Sequence, residues 1–397
     1  MSDDDTHGEQ FGVKQIREVY RRGMFDGETP DFPVSFETLR EEATERMSWQ
    51  AQAYIHGGAG TEETFERNKE FSRWRIVPRM LRGVADRDLS VDVLGEEHAY
   101  PLMITPLGVQ GLVHEEGELA TARAAADLDV PFVLSSLSTR SMEEVADALG
   151  DTPKWFQYYW SADRDVAASC LDRAEEAGYE AIVLTVDAPT LGWRERILSK
   201  GYYPFLDGEG MGNYFSDPAF RESLDEPPEE DPEAAVDRFL SVFGDASLTW
   251  DDLEFVFERT DLPVIIKGIL HPEDARKAVE AGAAGVQVST HGGRQIDGSI
   301  SAIEALPEIV EEVGDETTVL FDSGIRRGEH AFKALALGAD SVMLGRPFVY
   351  GLAHSGQDGV EQVLRNTLSQ LDLTMGLAGI DAASDIDSEA VRDEKTL

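Results

Sequence analysis

From about residue 100 onward, short apolar runs alternate with amphipathic helical stretches, and this repetition constrains the chain more than any other feature. The runs fall at 102–105, 132–135, 155–159, 181–186, 264–267, 285–289, 319–322 and 341–344. Short apolar runs of this kind read as parallel strands buried on both faces. Between most of them lie patterns such as Arg173-Ala174-Glu175-Glu176-Ala177-Gly178, a helix stopped by glycine. Eight such units predict an α/β fold of the (β/α)8 barrel type. A doubly wound sheet would also alternate. Polar residues, however, end nearly every run, which suits a barrel mouth built from all the strands.

Residues 1–99 follow another pattern. Helices are expected over 36–46 and 49–55, and Leu89-Ser90-Val91-Asp92-Val93-Leu94-Gly95 alternates and then turns, as one arm of a hairpin does. This extension would close the barrel bottom or contribute to its mouth. The barrel itself spans 100–380, and 381–397 reads as a tail. Residues 188–250 interrupt the alternation and include the acidic stretch Asp225-Glu226-Pro227-Pro228-Glu229-Glu230-Asp231-Pro232. Its prolines and carboxylates argue against a long regular element, so an active-site lid with a partly disordered acidic section is expected.

Asp and Glu outnumber Lys and Arg by 77 to 35 across 397 residues, a formal charge of -42. Such a surface repels nucleic acid and anionic membranes, and concentrated salt would screen its self-repulsion. Together with a single cysteine, Cys170, this reads as a cytoplasmic protein adapted to high salt. Cys170 lies in a helical pattern and is expected to be a small buried residue. No signal peptide or membrane-spanning run is expected.

The sixth run ends in Ser289-Thr290-His291-Gly292-Gly293-Arg294-Gln295. His291 can move a proton near neutral pH, and Arg294 can grip a carboxylate with two parallel hydrogen bonds. The glycines allow close backbone approach to a ligand. Asp187, at the end of the fourth run, could orient His291 across the mouth, and Arg194 could join Arg294 as a second clamp. Taken singly, Asp187 reads as a cap and Arg194 as a surface ion pair. Lys267 ends a buried run, where a cation must be paired or face a ligand, and it suits an electron-rich ring.

Two turns look made for phosphate. Asp322-Ser323-Gly324-Ile325-Arg326-Arg327-Gly328 follows the seventh run, and Gly345-Arg346-Pro347 follows the eighth. Barrels often bind phosphate there, using backbone N–H groups and an arginine. Tyr54 and Tyr159 could bond a carboxylate or an alkoxide. His56, His98, His114 and His271 have no partner at metal-site spacing, so no metal is expected.

This ordered set resembles the FMN-dependent α-hydroxyacid oxidising family, which includes glycolate oxidase and lactate oxidase, over about residues 36–380. Within it the likeness runs to the lactate 2-monooxygenase type, through Gly192-Trp193-Arg194-Glu195-Arg196, Tyr203-Pro204-Phe205-Leu206, Asn213-Tyr214 and the long fourth loop. The resemblance implies oxidation of a small L-2-hydroxy acid, L-lactate, with O2, by a homo-oligomer, a tetramer or higher. It implies His291 as base beside Asp187, and Arg194 and Arg294 on the substrate carboxylate. Tyr54 and Tyr159 would lie near substrate oxygens. FMN would be the cofactor, with Lys267 by its N1/O2 edge. Leu107, Gly108, Ser135, Gln157, Thr185 and Ser289 would serve the ring, and Asp322, Gly324, Arg326, Gly345 and Arg346 the ribityl phosphate. Thr290 stands where the family commonly has Asn, and Thr105-Pro106 where it has Ala-Pro. A lactate or glycolate oxidase or dehydrogenase giving the 2-oxo acid, rather than decarboxylation to acetate, is one alternative. An FMN-dependent isomerase on the same barrel, or an inactive barrel kept for binding, are others, although neither of these needs two arginines beside His291 and Asp187.

Overall fold

The computed structural model describes residues 10–396. Eight parallel strands close into a barrel: β1 (Leu102–Ile104), β2 (Phe132–Ser135), β3 (Lys154–Tyr159), β4 (Ala181–Thr185), β5 (Val264–Ile269), β6 (Gly285–Val288), β7 (Thr318–Phe321) and β8 (Ser341–Leu344). They pair in chain order, and β8 closes on β1 through Val342↔Leu102 and Leu344↔Ile104. Their side chains are buried almost without exception, because barrel interior and helical shell cover both faces. The outer helices begin where the sequence supplies caps. Ser141 and Ser301 each form a capping box, with Glu144 and Glu304 respectively. Cys170 is buried in helix Arg164–Glu176.

The N-terminal region serves both ends of the barrel. Helix Trp49–His56, capped by Ser48, brings Tyr54 to the mouth. The hairpin of Val91–Val93 and Glu96–His98 lies at the bottom, where Asp92, Leu94, Pro263, Ala284 and Thr318 line one cleft. The C-terminal segment is more than a tail: Val391–Asp393 pairs antiparallel with Trp74–Ile76.

The segment between β4 and β5 crosses the mouth. It starts against the loop after β6, where Gly192 packs on the Arg294 and Gln295 carbonyls. It then reaches the loop after β2, where Asn213 donates to the Ser135 and Ser136 carbonyls and Gly212 N–H to Ser138. It returns to the end of β3 through the bridge Ser161↔Phe243. The acidic stretch holds more structure than its composition suggested. Arg221 pairs with Glu229 at 2.8 Å, and Asp231 caps the 11-residue helix Pro232–Val242. Pro204, Pro218 and Pro232 each stand in the first turn of a helix, where a missing N–H costs nothing.

Candidate active site

His291 sits just beyond β6 in the left-handed region, at φ 56°, an unusual conformation for a residue with a side chain. Ser289 Oγ accepts its N–H and in turn donates to Asp322. The imidazole is thereby held with Nδ1 2.8 Å from Asp187 Oδ1 and Nε2 3.2 Å from the Tyr159 hydroxyl. The carboxylate fixes the proton on Nδ1, which leaves the Nε2 lone pair to accept from the Tyr159 hydroxyl. Burial lowers the His291 pKa, against the pull of Asp187, so the ring is neutral at pH 7 and able to accept a proton.

Burial opposes charge on Asp187 as well, but Lys267 and His291 overcome it and hold the carboxyl at about 2. Lys267 Nζ lies 3.5 Å from Asp187 Oδ2, an ion pair rather than a close hydrogen bond. Gly268 makes this approach possible. Its φ is +105°, and a Cβ there would lie 2.4 Å from that of Asp187.

His291 and Lys267 border a cavity at the strand C-termini. Of the residues proposed from sequence, Tyr54, Leu107, Gly108, Ser135, Tyr159, Lys267, His291, Arg294, Asp322, Gly324, Arg326, Gly345 and Arg346 line it. Five do not. Asp187 stands behind His291, Ser289 supports its backbone, and Gln157 accepts from Ser135 Oγ at 3.0 Å. Thr185 pairs in register between Tyr159 and Lys267. Arg194, on the crossing segment, donates to the Arg294 carbonyl at 3.2 Å and to Gln295 Oε1 at 2.9 Å.

Three guanidiniums face this cavity, Arg346 buried and Arg294 and Arg326 half-buried, and among the described residues none forms an ion pair. Arg294 donates to the Tyr54 and Gly57 carbonyls and stacks 4.7 Å over the Tyr54 ring. Arg346 donates to the Ile55, Gly292 and Gly57 carbonyls. Arg326 reaches only the Ile325 carbonyl, and its Nε has no partner. Burial, with Arg194 nearby, pushes Arg294 down to about 9, and burial with Arg346 pushes Arg326 to about 10. Partly desolvated cations without a counter-charge call for anionic ligands. Gln157 Nε2 and Thr185 Oγ1 are likewise buried without partners. This donor set fits a cofactor that carries both a phosphate and a hydrogen-bonding ring, as FMN does.

The sequence reading missed several supports. Ser323, at φ 76°, accepts the Thr290 and Gly292 N–H groups, and Asn68 donates to Thr290 Oγ1 at 2.7 Å. Gln295 ties the heptapeptide to the Asp187 and Thr190 carbonyls. The Asp322 carboxylate accepts from Thr105, Gln287, Ser289 and Ser323, so it joins the ends of β1, β6 and β7. Gln295 and Ser323 carried a signal, as members of the heptapeptide and of the turn after β7, whereas Asn68 and Gln287 carried none.

Fold and site together define a class, the flavin-dependent (β/α)8 oxidoreductases. The chain belongs to the FMN-dependent dehydrogenase family, whose model matches residues 43–393. It is 45% identical to an L-lactate oxidase of Lysinibacillus sphaericus over 349 residues, 88% of this chain and 90% of the relative. It is 41% identical to a 4-hydroxymandelate oxidase of Amycolatopsis orientalis over 350 residues, 88% of this chain and 95% of the relative. A solved mandelate oxidase structure superposes with a TM-score of 0.80 at 39% identity, covering 91% of this chain and 98% of the other. The chain is accordingly an FMN-dependent oxidoreductase of 2-hydroxy acids. No helix among the described residues is long and apolar enough to cross a membrane.

Proposed function

We propose that this chain oxidises a small L-2-hydroxy acid, L-lactate, to the 2-oxo acid, with O2 as final oxidant. The observation that carries this reading is the His291 imidazole, held 2.8 Å from Asp187 beside Arg294, which has no carboxylate partner among the described residues. FMN, when bound, supplies the acceptor for two electrons. His291 Nε2 takes the proton of the substrate hydroxyl, and the C2 hydrogen leaves with the electron pair of its bond, to the acceptor, as the carbonyl forms. Asp187 then faces a charged imidazole and stabilises it, while Lys267 supplies positive charge beside the ring. Arg194 and Arg294 hold the carboxylate, and Tyr54 and Tyr159 steady the substrate oxygens. Leu107, Gly108, Ser135, Gln157, Thr185 and Ser289 serve the ring. Arg326 and Arg346, with the backbone at Gly324 and Gly345, take the phosphate end, beside Asp322.

The segment over 188–250 acts as the lid in this reading. If the 2-oxo acid stays beneath it, the peroxide formed in the same turnover decarboxylates it, so lactate and O2 end as acetate, CO2 and water. Early release gives pyruvate and hydrogen peroxide instead. The attachment of the segment to the loops after both β6 and β2 supports retention. The likeness to L-lactate oxidase supports release. Product analysis of aerobic lactate turnover decides between them. We further propose a cytoplasmic, salt-adapted homo-oligomer, on the -42 charge and the family likeness. The test of the chemistry is His291→Gln. It should keep FMN but lose about 10²–10⁴ in the rate of anaerobic flavin reduction by L-lactate. Reduction at the wild-type rate would refute the role of His291.

A further inference from the structure

A second cavity lies where the crossing segment returns to β3 and β5. Its walls are mainly apolar, with Trp160, Trp250, Leu248, Leu253, Val186 and Ile269. Tyr159 lines this cavity and also the one beside His291. No Lys, Arg or His lines it, whereas Asp245, Asp252 and Asp274 do. Arg164 pairs with Asp252 at 3.1 Å and Lys277 with Asp274 at 3.7 Å, both from outside the lining. An anion gains nothing there, so a 2-hydroxy acid and its product are unsuited to it. Trp160 is 6% exposed, and its Nε1 donor has no acceptor.

We propose that this cavity is a second ligand site, for a small neutral aromatic molecule carrying one hydrogen-bond acceptor. Apolar area and the Trp250 indole supply the attraction, since Arg164 already stacks 4.5 Å over the Trp160 ring, and the acceptor suits the unmatched Trp160 N–H. The shared wall links the two sites. The Tyr159 hydroxyl is 3.2 Å from His291 Nε2, while its ring packs edge-on against Phe243 at 5.3 Å. A molecule lodged behind that ring biases its position, and coupling of this kind is reciprocal between ligands.

The experiment uses the holoenzyme, with acetophenone as the neutral probe and oxalate as an anionic probe of the arginine pair. Saturation-transfer NMR of acetophenone should show saturable binding that persists in excess oxalate. Trp250→Ala, and independently the cavity-filling Leu248→Phe, should weaken it at least tenfold while both variants keep FMN and oxalate binding. Saturating acetophenone should change the apparent oxalate affinity at least twofold. Absent saturable binding, full displacement by oxalate, or unchanged binding in both variants overturns the site. An oxalate affinity indifferent to acetophenone overturns the link through Tyr159.

Discussion

Replacing Asp187 by Asn removes one charge and almost no volume, and the geometry sets the size of the effect. Oδ1 accepts from His291 Nδ1 at 2.8 Å, and Oδ2 faces Lys267 Nζ at 3.5 Å. An amide offers one acceptor and one donor in the same outline. If its oxygen serves His291, its NH2 meets the Lys267 ammonium; turned over, its NH2 meets the Nδ1 proton. The larger loss comes when His291 accepts a proton and no carboxylate balances the new charge. Two unit charges ~4 Å apart at an effective dielectric of ~20 interact by about 4 kcal/mol. Each ~1.4 kcal/mol is tenfold in rate. Asp187→Asn should therefore slow anaerobic flavin reduction by L-lactate about 10³-fold, followed in a stopped-flow instrument by the loss of flavin absorbance. FMN content and melting temperature of the variant report on folding. A folded, FMN-loaded variant that is reduced within about tenfold of the wild-type rate would refute the electrostatic reasoning.

Arg294→Lys and Arg194→Lys should each weaken oxalate binding by about tenfold or more, because an ammonium cannot reproduce the planar two-donor fork; unchanged titrations would remove the clamp. Burial holds His56 at about 4, so the folded ring stays neutral while the unfolded one protonates near 6.5. Its contribution, about 3 kcal/mol, is complete above pH 6.5 and lost as pH falls toward 4. His56→Gln should flatten the fall of the urea midpoint across that window, and equal slopes would assign the fall to other groups. Melting temperature and activity should climb from dilute to molar salt, where the screening length shrinks to about 3 Å. The ratio of peroxide to acetate should rise as salt is lowered, before unfolding begins. Full stability in dilute buffer would sink the salt-adapted reading, and a constant ratio would separate the lid from it.

What was legible in the sequence were features written locally. Most barrel strands are short, largely apolar runs closed by a polar residue, and the observed strands fall within two residues of the expected ends. The heptapeptide after β6 carries its chemistry in consecutive letters. What was hidden depends on contacts between distant segments. Asn68 reaches Thr290 across more than two hundred residues, and Gly268 matters only because Asp187 packs against it. The crossing segment misled for another reason. Its prolines read as breakers, yet in the first turn of a helix proline costs no hydrogen bond, and Asp231 caps the helix that Pro232 opens. The expected tail was opaque because an edge strand three residues long leaves almost no periodic signal.

The sign of the charge inverts with depth in this chain. Outside, the -42 excess surrounds the whole molecule; within the mouth, once Arg326 and Arg346 take the cofactor phosphate, Arg294 is left for the substrate, with no carboxylate paired to it among the described residues. An incoming acid anion therefore climbs a repulsive slope before it drops into an attractive well. Mobile ions flatten the slope, which lies in solvent, but scarcely enter the well, which is walled off from it. Entry should quicken as salt rises while departure hardly changes. Capture of an anion by arginines, ordinarily loosened by salt, should here tighten in brine.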